Sequence, residues 1–222
     1  MRVHLDWRRN GRRSKRRPVR DEASTTYTGA IETASEFARR IYRDAFQRGW
    51  TRALIKVVRG DGAVRIWNIA AEQFPGAILI VDLDHAREHL HKLSRLLLPN
   101  DETARQRWCA VVLDQLDNGQ IEALVVSLRT LVADHPHLAE KLQTEAGYFE
   151  HNADKMRYPA FRRQGLFAGS GVIEAGCKTV IGSRLKQSGM FWTVAGANKI
   201  IALRCCRISG KFEDFWETEA AA

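Results

Sequence analysis

The chain contains no run of about 18 apolar residues, so nothing in it reads as a membrane-spanning helix. Its amino terminus is positively charged but lacks the apolar stretch of a secretion signal, which points to a cytoplasmic protein and away from a membrane partner. Cysteine is scarce. Cys109, Cys177, Cys205 and Cys206 are too few and too scattered for a disulfide framework, and no two have the CxxC spacing suited to zinc. Reduced, mostly buried thiols are the expectation. No internal repeat is present, which excludes repeat architectures.

Positive charge, by contrast, is plentiful. The 222 residues hold 35 Lys and Arg against 26 Asp and Glu, a net charge of +9 that favours a polyanionic partner, nucleic acid first. A membrane surface or a ribosomal setting fits basic composition as well. Residues 1–20 hold nine of the cations (Arg2, Arg8, Arg9, Arg12, Arg13, Lys15, Arg16, Arg17 and Arg20) against the single acid Asp6. Such an arm repels itself and is expected to be a basic disordered segment. It either neutralises phosphates or is a solvated tail left by an altered start of the reading frame.

Beyond the arm, Ala34, Phe37, Ala38, Ile41 and Ala45 fall at helical spacing within 31–48. The apolar run 53–58 reads as a strand closed by Arg59-Gly60-Asp61-Gly62, residues 63–73 as a helix, and 77–83 as a second buried strand ending near Asp82. Strand, helix, strand implies a parallel pair with a crossover helix, and ligands of open α/β sheets collect at the carboxyl ends of such strands. From His85 onward the pattern is helical, over roughly 84–97, 102–117, 119–133 and 136–152, followed by an irregular link around Tyr158-Pro159 and Gly165. A further helix is expected to open near Val172, with Ser170 or Gly171 as N-cap and Glu174 in its first turn, and another over about 195–206. This gives a domain reading of 21–98 as the first part of a core, 99–165 as a helical insertion, and 166–222 as carboxy-terminal helices completing the core.

Three acids attract attention: Asp61, Asp82 and Glu174. Phosphoryl transfer on DNA needs carboxylates gathered from separate elements, because two divalent cations about 3.5 to 4 Å apart must be held by oxygen ligands. The plainer reading is that strand-end aspartates are turn caps, which is the commoner role.

A set of ordered motifs goes further. Gly60-Asp61-Gly62-Ala63 with Ile66-Trp67-Asn68, Phe74-Pro75-Gly76-Ala77, the run Val81-Asp82-Leu83-Asp84-His85-Ala86-Arg87-Glu88-His89-Leu90, and Gly169-Ser170-Gly171-Val172-Ile173-Glu174-Ala175-Gly176-Cys177-Lys178 resemble the ISKra group of insertion-sequence transposases. Arg184-Leu185-Lys186-Gln187-Ser188-Gly189-Met190 with Trp192, and Ser209-Gly210-Lys211-Phe212-Glu213-Asp214-Phe215-Trp216, continue the likeness over about residues 18–217. That group is similar to the Mutator-like transposases. The resemblance implies an α/β fold with a ribonuclease-H-like core, incomplete here, and a large all-helical insertion. It also implies three acidic ligands for Mg²⁺ or Mn²⁺, and double-stranded DNA, both element ends and target, as partner in the nucleoid. A homo-oligomer stays open.

By the same resemblance Asp61, with Asp82 as the alternative, is the second catalytic acid and Glu174 the third, both metal ligands, while Asp82 and His85 match a supporting pair spaced by three positions. The first acid belongs on a strand upstream of the matched region. Asp6, in Val3-His4-Leu5-Asp6, does not match the Asp-Gly-Thr pattern of that position, so weak or no catalysis by this chain alone is the expectation.

Two other classes compete. His85-Ala86-Arg87-Glu88-His89 is an H-x-x-E-H pattern, which can place two imidazoles one helical turn apart with Glu88 as base of a zinc hydrolase. A non-catalytic DNA-binding protein would use the basic set Lys178, Arg184, Lys186, Lys199, Arg204, Arg207 and Lys211 with Phe191 and Trp192. Trp50, Trp67 and Trp108 read as core or core-edge residues.

Overall fold

The structure, a computed structural model, describes residues 25–169 and 176–213. The expected basic arm and the segment carrying Glu174 lie outside the described residues, as does the end of the tail with Phe215 and Trp216. The described chain divides into two units, one from the residues up to 54 together with those after 170, the other from 55–170.

In the second unit, β1 (Val57–Gly60) and β2 (Ile78–Val81) pair in parallel, with Val57 opposite Ile78 and Gly60 opposite Val81. The crossover is α2 (Val64–Gln73). It sits close against β1, because at Gly60 a Cβ would collide with the Ile66 side chain at 2.6 Å. The expected parallel pair with its crossover helix is therefore present. β1 itself begins four residues later than expected.

Helices follow. α3 (Leu83–Leu97) is capped by Asp82, and α4 (Glu102–Asp117) by Asp101, whose carboxylate accepts from the Ala104 N–H at 2.8 Å. α5 (Ile121–Asp134) and α6 (Ala139–His151) form a closely packed pair. α7 (Tyr158–Arg163) is a short helix where an irregular link was expected. Pro159 is tolerated there because it lies in the first turn, where a backbone N–H has no helical acceptor.

The ribonuclease-H-like expectation is corrected at this point. Among the described residues the sheet has only two strands of four residues, and the rest of the secondary structure is helical. A two-stranded pair has too little face to form its own core. The helices of 99–165 supply most of the core into which the strand pair packs. Leu116, Ile121, Leu124, Leu128, Leu142 and Phe149 are fully buried in one continuous core with Ile80 and Val81 of β2 and Leu90 of α3. Trp67 and Trp108 pack at its edge. Truncating one of these leucines to alanine is worth about 2–5 kcal/mol.

The first unit holds α1 (Ala34–Gln47) and α8 (Val194–Ile208). α1 opens on a capping box, Thr33 Oγ1 accepting from the Glu36 N–H while the Glu36 carboxylate accepts from the Thr33 N–H at 2.8 Å. The extended segment before it is clasped to α8. Asn198 accepts from the Ile31 N–H at 2.7 Å and donates to the Ile31 carbonyl at 3.1 Å, and Ser209 Oγ accepts from the Tyr27 N–H at 2.9 Å. A small core of Val180, Ile201 and Cys205, edged by Tyr27, Ile181, Leu185 and Ile208, joins α8 to a π-helical turn, Lys178–Gly182. No helix among the described residues is long and apolar enough to cross a membrane.

Candidate functional site

Strand pairing sets the site. Since Gly60 and Val81 are register partners, the residues after them, Asp61 and Asp82, leave the same end of the parallel pair. The last rung is the Asp82 N–H to Gly60 carbonyl bond, 2.8 Å.

The two aspartates differ in employment. Asp61 Oδ1 accepts from the Ala63 N–H at 2.9 Å, a local turn that starts α2, and its half-buried side chain stays in reach of solvent. Asp82 is 5% exposed. Its Oδ1 accepts from both the Asp84 and His85 N–H groups at 3.0 Å, while Oδ2 is buried without a hydrogen-bond partner. Burial pulls the Arg59 guanidinium below its usual range, and the charges of Asp82 and Asp84 pull the other way. Arg59 also donates to the Gly169 carbonyl. Asp82 therefore caps a helix beside a buried cation, whereas Asp61 is the acid better placed to meet a ligand.

His85 lies in the first turn of α3 and His89 one turn later. Their Nε2 atoms face each other at 3.3 Å, with ring centroids 5.0 Å apart and planes crossing at 75°. His89 is held from behind. Its Nδ1 lies 2.7 Å from Glu145 Oε2, and its ring stacks on Tyr148 with centroids 4.2 Å apart. Glu145 is 4% exposed and takes Lys141 Nζ on its other oxygen at 2.6 Å. Burial pushes the Glu145 pKa up, but His89 and Lys141 outweigh it and the net shift is downward. Burial pushes the Tyr148 phenol well above its ordinary range, helped by the charges of Asp61, Glu145 and Asp82. The Tyr148 hydroxyl donates to the Asp61 carbonyl at 2.9 Å.

The C-cap of α6 is Asn152, 3% exposed, which accepts from Trp67 Nε1 at 2.7 Å and donates to the Tyr148 and Gly62 carbonyls at 2.9 and 3.3 Å. Lys141, Glu145, Tyr148 and Asn152 thus form one polar stripe, in which Glu145 meets His89 of α3 while Tyr148 and Asn152 meet the turn after β1. Sequence reasoning missed all four. The available signal was Glu145 and Tyr148 falling at the helical spacing of Leu142, Ala146 and Phe149, since a polar group on the buried face of a helix needs a polar partner.

Glu88 stands apart from this stripe. It is exposed, pairs with Lys92 at 3.3 Å and lies 4.0 Å from His85 Nδ1, on the opposite side of that ring from His89. The expected zinc-hydrolase use of Glu88 as a base beside both imidazoles finds no such placement.

Glu174, the other expected metal ligand, lies outside the described residues. Among the described residues no three His, Cys, Asp or Glu side chains gather around a common point. Hard cations such as Mg²⁺ want several oxygens. Asp61 and Asp82, the second committed to its cap, do not make such a site by themselves.

Of the expected DNA-binding residues, Lys178, Arg184 and Lys186 are exposed. Arg204 is engaged within its own unit, donating through Nε to the Thr179 carbonyl at 3.1 Å and through Nη2 to Ser183 Oγ at 2.5 Å. Phe191 is almost wholly exposed, while Trp192 keeps its indole N–H buried. Compared with known proteins, the chain matches no family model, no curated protein and no solved structure.

Proposed function

We propose that the chain is a transposase-derived protein of the ISKra type that binds double-stranded DNA at insertion-sequence ends. Asp61 and Glu174 are its acidic residues for a Mg²⁺ or Mn²⁺ ion, and the chain cleaves strands weakly or not at all by itself. The observation that carries the reading is the placement of Asp61, which stands at the carboxyl end of a parallel strand, is accessible, and has only one carboxylate oxygen tied in a turn. The ordered motifs quoted above and the net charge of +9 support it independently.

The reading does not rest on a ribonuclease-H-like core. It requires Glu174 to supply a second carboxylate, and the resemblance calls for a third. Two acids hold a divalent ion poorly, because much of its coordination falls to water and substrate. Asp82 and His85 support from the side, Asp82 by fixing the start of α3 and so the position of His85.

The test is a nicking assay on supercoiled DNA carrying element ends, with magnesium and then manganese, beside an anisotropy measurement of DNA affinity. The expected result is salt-sensitive binding, with any nicking abolished by Asp61→Asn and by Glu174→Gln. Metal-dependent nicking that survives both substitutions would remove the two acids from the site. Exposure of Lys178, Arg184 and Lys186 favours a second reading, DNA binding without cleavage. That reading is selected if binding is present and no nicking occurs with either metal.

A further inference from the structure

The geometry points to a site for a divalent transition metal of the zinc class, ligated by Nε2 of His85 and Nε2 of His89, with its remaining positions open to water or an anionic ligand. The His89 imidazole has its Nδ1 bonded to a buried carboxylate, and the His85 Nδ1 has an exposed one nearby. His89 Nδ1 lies 2.7 Å from Glu145 and His85 Nδ1 lies 4.0 Å from Glu88. A neutral imidazole that carries its proton on Nδ1 presents a lone pair on Nε2. The two Nε2 atoms face each other at 3.3 Å, and with both rings in that tautomer the two lone pairs suit a cation held between them.

The dimensions fit a metal. Zinc–imidazole bonds of about 2.0–2.1 Å at tetrahedral angles put two ligating nitrogens about 3.3–3.4 Å apart. The ring centroids, 5.0 Å apart, are closer than two imidazoles collinear with a 3.3 Å Nε2–H···Nε2 bond would be, so the two rings are not aligned along the line joining their Nε2 atoms. Buried Glu145, braced by Lys141, supplies the carboxylate that characteristically orients a metal-bound histidine from its far nitrogen. Tyr148 fixes the ring plane by stacking.

With no third His, Cys, Asp or Glu at this point among the described residues, the pair leaves coordination positions open. Imidazole selects zinc, cobalt, nickel or copper over magnesium and calcium. This site therefore takes a different class of ion from the carboxylate site of the proposed function, which His85 also borders. The half-exposed His85 ring gives an ion an entry path.

Isothermal titration of the untagged full chain with zinc sulfate, and the visible spectrum of its cobalt(II) complex, test the site. The expected result is one zinc per chain, not displaced by excess magnesium, lost in His85→Ala and weakened about 10–100-fold by Glu145→Gln. Asp61→Asn and Glu174→Gln leave zinc binding intact, which separates this result from the nicking assay. A His135→Ala/His137→Ala double variant also retains zinc and guards against the other adjacent histidine pair. Should His89→Ala fail to fold by circular dichroism, His85→Ala still decides, because its ring is partly exposed. Absence of stoichiometric zinc, or zinc binding unchanged in folded His85→Ala, overturns the proposal and leaves a proton shared between the two rings.

Discussion

The Tyr148 hydroxyl donates to the backbone carbonyl of Asp61 at 2.9 Å, so a helix far along the chain holds the turn that carries the strand-end acid. Gly62 makes this approach feasible, because it has a φ of +93° and a Cβ on it would meet the Tyr148 ring at 2.6 Å. One contact thus joins three features: the parallel strand end, the glycine turn and the polar stripe of α6.

Removing the hydroxyl isolates that contact. Tyr148→Phe is expected to lower stability by about 0.5–1.5 kcal/mol, the net value of one such bond. Gly62→Ala is expected to lose more, about 1–3 kcal/mol, because a side chain at positive φ is strained as well as crowded. Urea unfolding of both variants checks the order. If Gly62→Ala proves the milder change, the close approach of Tyr148 to this turn is not present in solution.

Asn152 is the buried hub linking α6 to α2 and the Gly62 turn. Asn152→Ala removes an acceptor from the Trp67 indole and donors from two carbonyls, leaving groups desolvated in the interior. A loss of about 1–3 kcal/mol is expected, with a shift in tryptophan fluorescence reporting the change around Trp67. A variant as stable as the parent would show that these three bonds are not formed together.

Glu145 gives the fold a defined response to acid. Its folded-state value lies below the ordinary 4.5, because His89 and Lys141 outweigh the upward push of burial. A depressed carboxylate contributes stability that is fully present above 4.5 and is lost as pH falls through the folded-state value. Glu122, held by Arg157 down to about 2, works in the same direction between 4.5 and about 2. Urea midpoints measured across this range should fall with acidification, and more shallowly in Glu145→Gln than in the parent. Equal slopes would detach Glu145 from the acid response.

Local signals were readable in the sequence and cross-chain partnerships were not. Helical periodicity placed α3, α4 and α8 within a residue or two, and Gly60-Asp61-Gly62 marked the end of β1 correctly. Periodicity says that a helix has an apolar face but not what the face covers. The helices of 99–165 therefore read as a separate insertion, although Leu124 and Phe149 share a core with Ile80. Glu145 was passed over for the same reason, since its significance comes from His89, 56 residues earlier. The ribonuclease-H-like expectation came from motif likeness and failed on strand count, a quantity that motifs in turns and caps do not report.

DNA binding separates cations by what they already hold. Arg184 and Lys186 are exposed, whereas Arg204 braces the Thr179 carbonyl and the Ser183 hydroxyl. Each phosphate contact released changes the slope of log affinity against log salt by about 0.9. The Arg184→Ala/Lys186→Ala double variant is expected to flatten the slope by up to about 1.8, with unfolding unchanged. Arg204→Ala is expected instead to lower stability by about 0.5–1.5 kcal/mol, through the exposed hydrogen bonds to the Thr179 carbonyl and Ser183 hydroxyl that it loses. Anisotropy titrations on a duplex over a sodium chloride series, run beside thermal unfolding, read both. If the double variant keeps the parental slope, phosphates are met elsewhere on the chain and this turn is only a solvated surface.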